Sequence, residues 1–224
     1  MPEWLCILQF ADSACPVGST SHSFGLESLV FDEDIQGEVH NCPASLFWYL
    51  EDSLSESLMI DAVFCREAHT RALQNLSVVD LNQQVSALRM ARELRDASLM
   101  MGRRFAALAA ALHPAPALAA LSGLEELHHA VAFGYVLGIL SADVDSTVSA
   151  FIHQIAVSAI SAAQRLLPLG QVAASRISWN LKPVIIRAME KSREVSFRTV
   201  GSFAHLPDLA SMRHPCLQTR LFIS

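Results

Sequence analysis

Three places in the chain set reactive side-chain types close together. Gly18-Ser19-Thr20-Ser21-His22-Ser23 puts hydroxyls beside an imidazole, the pairing that a serine nucleophile requires. Neighbours in sequence rarely place an imidazole on a hydroxyl, and the segment lacks the strand-turn-helix setting of a G-x-S-x-G elbow. A serine cap on a helix that starts after a glycine turn explains the same residues. His128 and His129 are adjacent, but side chains one apart on a helix point in different directions and cannot chelate one ion together. The spacing predicts surface or interface histidines. His214 and Cys216 could reach one soft ion, yet two ligands do not complete a site. The chain has no Walker loop, no G-x-G-x-x-G and no H-E-x-x-H. Residue chemistry thus predicts no catalytic, metal or cofactor site, and a protein that acts by binding rather than as an enzyme. Two alternatives stay open: a serine hydrolase built on Ser21-His22-Ser23, and a helical carrier of a small ligand.

The elements around these residues must come from an apolar chain. Of 224 residues, 52% are hydrophobic and 17% charged, enough for one large core and too rich for disorder. The mean hydropathy is +0.33. Phe105 to Leu121 is interrupted by His113, Pro114 and Pro116, and Ala130 to Leu140 falls short of the roughly 20 residues that cross a bilayer. The expectation is no membrane span, with the surplus apolar surface buried in an oligomer. Glu3 and Asp12 flank a short apolar run with no basic residue before it, which does not read as a signal peptide. Five cysteines (Cys6, Cys15, Cys42, Cys65 and Cys216) form no C-x-x-C pair, which predicts reduced thiols in a cytoplasm.

Charge is unevenly spread under a net value of −6. The first 65 residues hold eleven acidic side chains and no Lys or Arg, whereas from Arg165 onward nine basic face three acidic residues. The basic residues are interspersed with apolar ones and lack an aromatic platform, which argues against nucleic acid. The two ends either complement each other within the fold or face oppositely charged partners.

Helical periodicity runs through nearly the whole chain, with Gly and Pro falling where helices should stop. The pattern predicts an all-α, single-domain bundle over residues 1–224, with 195–224 as a partly extended partner-binding tail. Helices are expected from Ser21 or Ser23 to Asp32, from Pro43 to Leu73, and from Asp80 to Leu112 behind an Asp80/Gln83 capping box. Others follow from Leu124 to Leu140, from Asp143 or Asp145 to near Pro168-Leu169-Gly170, and from Gln171 to about Glu194 with a kink at Pro183. In the Ser146–Arg165 helix, Val148, Phe151, Ile152, Ile155 and Ala159 make a core stripe. Its other side carries Gln154, Ser158, Ser161 and Gln164 and no charge before Arg165. Such a helix is buried all round, at the bundle centre or in a dimer interface through Ser158, Ser161 and Arg165. The tail mixes Met212, Arg213, His214, Arg220, Leu221 and Phe222, residue types enriched at interface anchors.

The two ends together carry a resemblance. Pro16, Gly18, Ser21, His22, Ser23, Gly25, Leu26 and Glu27 match P-x-G-x-[FT]-[SA]-[YH]-S-x-G-L-E. Ser211, Met212, Arg213, His214, Arg220, Leu221, Phe222 and Ser224 match S-M-R-H-x-x-x-x-x-R-L-F-x-S. With Ala97-Ser98 and Gly102-Arg103-Arg104 between them, the chain resembles the UreF family of urease accessory proteins. It departs from the family at Asp12-Ser13, Cys15 and Thr20. The resemblance implies an all-helical homodimer without catalysis or cofactors of its own. Such a dimer binds UreD (UreH in some organisms) and recruits the GTPase UreG for nickel insertion into apo-urease. It assigns partner contact or tail ordering to Ser21, His22, Glu27, Met212, Arg213, His214, Arg220, Leu221 and Phe222.

Overall fold

A computed structural model describes residues 2–31, 42–201 and 205–223. Eleven α-helices form there, and no strand is present among the described residues. They are α1 (Glu3–Phe10), α2 (Leu26–Phe31), α3 (Cys42–Leu73), α4 (Val79–Leu88), α5 (Arg92–Leu112) and α6 (Pro116–Ser122). The remainder are α7 (His129–Ile139), α8 (Val144–Leu166), α9 (Gln171–Asn180), α10 (Lys182–Glu194) and α11 (His205–Arg213). The all-helical bundle expected from periodicity is the fold observed.

Two helices organise the packing. The 32 residues of α3 run past α7, α8 and α10. The second, α7, is apolar on every side and buried along almost its whole length. Its glycines let α3 come close: a Cβ on Gly134 would sit 2.0 Å from the Cys65 carbonyl oxygen, and one on Gly138 would sit 2.7 Å from Ala72 Cβ. Gly102 does the same for α5, where a Cβ would fall 2.0 Å from the Leu127 carbonyl oxygen. That contact explains the small residue before Arg103-Arg104. An aromatic column fills the centre. Phe10 meets Phe105 at 5.2 Å, Phe105 meets Phe133 at 5.3 Å, and Phe133 meets Phe151 at 5.2 Å. Four helices, α1, α5, α7 and α8, are joined by it.

The 23-residue α8 starts as expected, with the Asp143 carboxylate accepting from the Ser146 N–H at 2.8 Å. It is long and apolar enough by length and composition to cross a membrane, which the runs weighed in the sequence did not include. Here 56% of its apolar window is buried, against α3, α7, α9 and α10. Ser158 is 5% exposed, so it lies in the chain's own core rather than on a face open to a second copy. Ser161 is half-buried and Arg165 exposed. The chain packs Ser158 inside because Ser and Ala at this spacing let neighbouring helices approach closely.

Several expected boundaries move. The Asp80–Leu112 region splits at Arg89–Ala91 into α4 and α5, and Asp80 pairs with Arg71 instead of capping. The kink before Pro183 is a break at Leu181 between α9 and α10. The helix expected from Leu124 begins only at His129, where His128 is the extended N-cap residue. Asp32, where the first expected helix ends, lies outside the described residues. Three helices were absent from the sequence reading: α1, α6, and α11 inside the expected extended tail.

Candidate partner interface at the joined chain ends

The turn at Gly18 and Gly25, both with φ near +90° (89° and 87°), brings the first motif back onto the body and starts α2. Gly25 serves a second purpose, because a Cβ there would lie 2.9 Å from the Pro207 carbonyl oxygen and 3.0 Å from Ser211 Oγ. Only a glycine lets α11 seat on this turn. From α11 the chain passes through a 3-10 turn at His214–Cys216 and returns across α2.

Glu27, on the first turn of α2 and 5% exposed, is the centre of the arrangement. Its carboxylate accepts the Leu221 N–H at 2.7 Å and the Phe222 N–H at 3.3 Å, and faces His214 Nε2 at 2.7 Å. A buried carboxylate is tolerable only when its lone pairs are filled this way, and charge-assisted bonds of this kind are the stronger ones. The Ser21 carbonyl oxygen accepts the Ile223 N–H at 2.8 Å. Phe222 drops into the body, 6% exposed, with the Arg165 guanidinium 4.2 Å from its ring centre. His22 is buried near Phe24 at 5.9 Å between ring centres. Burial lowers its pKa from the ordinary value, and the positive Arg104 and the nearby His214 lower it further.

The structure therefore divides the predicted partner residues in two. His22, Glu27, His214 and Phe222 are buried in a latch that ties the two ends of the chain together, with the Ser21 backbone as its second fastening. Met212, Arg213, Arg220 and Leu221 face outward. Sequence reasoning missed the rest of that outer face, Leu206, Leu209 and Ile223, which are 52%, 58% and 67% exposed. The i, i+3 spacing of Leu206, Leu209 and Met212 was the available signal. It also missed the Arg165–Phe222 stacking, which joins residues 57 apart in number.

The other candidates resolve differently. His128 and His129 are buried, not at the surface. His128 is held by Ser98 Oγ at 3.0 Å and Ser86 Oγ at 2.9 Å, and its N–H donates to Asn82 Oδ1. Burial lowers its pKa to about 3, aided by Arg89 and Arg95, and burial with Arg89 lowers that of His129 to about 4. Both rings are neutral struts. His214 is buried while Cys216 is exposed, so they do not converge. Among the described residues no group of three or more His, Cys, Asp and Glu side chains converges on one point.

Known proteins carry the same arrangement of sequence. The profile of the UreF family matches residues 41–182. Urease accessory protein UreF of a Nostoc species is 31% identical over 225 residues, covering 99% of this chain and 96% of its own. The protein of that name from Bradyrhizobium diazoefficiens is 31% identical over 223 residues, covering 97% of this chain and 90% of its own. One from a Bacillus species is 27% identical over 229 residues, covering the whole of both chains. With its helical fold, its joined ends and relatives matching from end to end, this chain belongs to the UreF family of urease accessory proteins.

Proposed function

We propose that this chain is a non-catalytic scaffold of urease maturation, which pairs as a homodimer, binds UreD (UreH) and recruits the GTPase UreG. The complex works in the cytoplasm and places nickel in apo-urease, with metal and nucleotide carried by the partners. The observation that supports this reading is the two-faced tail. Its inner side is spent on the latch to Glu27 and Arg165, and its outer side exposes Leu206, Leu209, Met212, Leu221 and Ile223 together with Arg213 and Arg220. Apolar anchors with arginine at the rim make up the composition of protein interfaces. In this reading UreD docks on that outer face, and the half-buried Ser161 is the α8 residue left to face a second copy, Arg165 being stacked on Phe222.

Co-purification with UreD and UreG tests it. The full chain is expected to retain both, and the chain lacking residues 211–224 to lose UreD. Arg213→Ala is expected to weaken capture at least tenfold while far-UV helicity stays unchanged. Equal capture by the truncated chain would overturn the tail assignment.

A further inference from the structure

The bundle centre holds polar groups that the latch does not use. Ser19 Oγ, Arg89 Nε, His129 Nε2, Gln154 Oε1 and Ser158 Oγ are buried and have no hydrogen-bond partner among the described residues. All five residues line one cavity of about 100 Å³, walled also by Tyr49, Leu54, Met101, Phe151 and Ile155. Their elements are unrelated in sequence: the turn before α2, the α4–α5 junction, α7 and α8. Ser19, His129, Gln154 and Ser158 are each at most 5% exposed. One stray buried hydroxyl is common in a native fold. Several orphaned groups on one void are not, because each costs free energy unless something bonds to it.

The wall chemistry narrows what that occupant is. Arg89 is neutralised by its ion pair with Asp61, itself 3% exposed. Burial keeps His129 uncharged above about pH 4. The cavity therefore has no net charge with which to hold an ion. It presents donors at Arg89 Nε–H and the serine hydroxyls, and an acceptor at Gln154 Oε1. Gln154 is fixed from the other side, its Nε2–H donating to the Phe10 carbonyl oxygen at 3.4 Å. The volume suits several waters or one molecule of a few heavy atoms.

We propose that this cavity is a binding site for a small uncharged molecule that both donates and accepts hydrogen bonds, such as a simple amide, which displaces part of the water held there. Gln154 and Ser158 on α8 are its specificity-determining residues. They also account for the uncharged side of α8 in the interior, where aliphatic residues would have packed at less cost.

Crystals of the full chain would be compared untreated, soaked in formamide, and under xenon. The expected result is ordered water bridging Ser158, Gln154 and His129, formamide replacing part of it, and no xenon. In solution, formamide titrated into the protein is expected to shift the His129 ring resonances. Gln154→Leu with Ser158→Ala is expected to weaken that response at least tenfold with the helical circular dichroism signal intact. If the pair does not fold, Ser158→Ala alone provides the same readout. Xenon in a waterless cavity would overturn the proposal. So would water retained without formamide, which restricts the cavity to structural solvent, or a titration indifferent to the substitutions.

Discussion

Glu27 carries the most concentrated set of interactions at the chain ends, accepting two backbone N–H groups and facing His214. Glu27→Ala leaves those donors buried and unpaired until the tail lifts away, a loss of about 1–3 kcal/mol. The expected readout is a lower urea midpoint together with faster tryptic cleavage at Arg220, which is already exposed. Gly25→Ala should release the tail in the same assay, because its Cβ would strike the Pro207 carbonyl and its φ of 87° disfavours any side chain. His128 and His129 contribute to acid sensitivity, in the same direction as His22, His69 and His153, whose pKa values burial also lowers. The pKa values of His128 and His129 are lowered from 6.5 to about 3 and about 4, so below pH 6.5 the unfolded chain takes up protons that the folded chain refuses. Stability should therefore be level above that pH and fall as pH drops toward 4. Each histidine adds a slope approaching about 1.4 kcal/mol per pH unit. His128→Gln should remove one proton from that linkage in denaturation curves measured across the range.

At the scale of elements, helix contact depends on glycine as much as on apolar bulk. The α3–α7 crossing is closed by Gly134 against the Cys65 carbonyl and by Gly138 against His69 and Ala72. Gly134→Ala forces the two backbones apart and is expected to cost about 3 kcal/mol or more in urea denaturation, at the upper end of overpacking effects. An alanine at an open glycine such as Gly170, where nothing lies within 4 Å of the added carbon, serves as the control. Periodicity revealed that these helices exist, since α7 and α8 are strongly apolar segments bounded by polar ones. It could not reveal that α4 and α5 separate at Arg89, because that break is set by packing around Asp61 and Arg95. Nor did it reveal α11, whose nine residues are too few to hold a helix alone and rely on their seat on α2 and α5.

For the whole molecule, the charge asymmetry is partly internal. Glu51 on α3 pairs with Arg187 on α10 at 3.1 Å, joining the acidic and basic parts of the chain. Arg213 and Arg220 remain on the outward surface, beside exposed leucines. Partner capture through that surface is expected to weaken as salt rises from about 0.05 to 0.5 M, because exposed charges separated by more than a Debye length are screened. Retention of UreD across that range is the measurement. A purely apolar interface would be unaffected.

The residues alone determined the helical class, the absence of any familiar catalytic pattern, and the two end motifs that resemble one family. Those properties are local: they follow from spacing, composition and short runs of side chains. Only the tertiary structure decided what the motif residues do. The resemblance assigned partner contact or tail ordering to Glu27, His22, His214 and Phe222, and within the fold all four are turned inward. Residues 194 apart, Glu27 and Leu221, meet through a hydrogen bond that no periodicity encodes. Ser158 could have faced a second copy or the core, since its chemistry suits either. The close approach of α3, α7, α9 and α10 around α8 assigned it to the core.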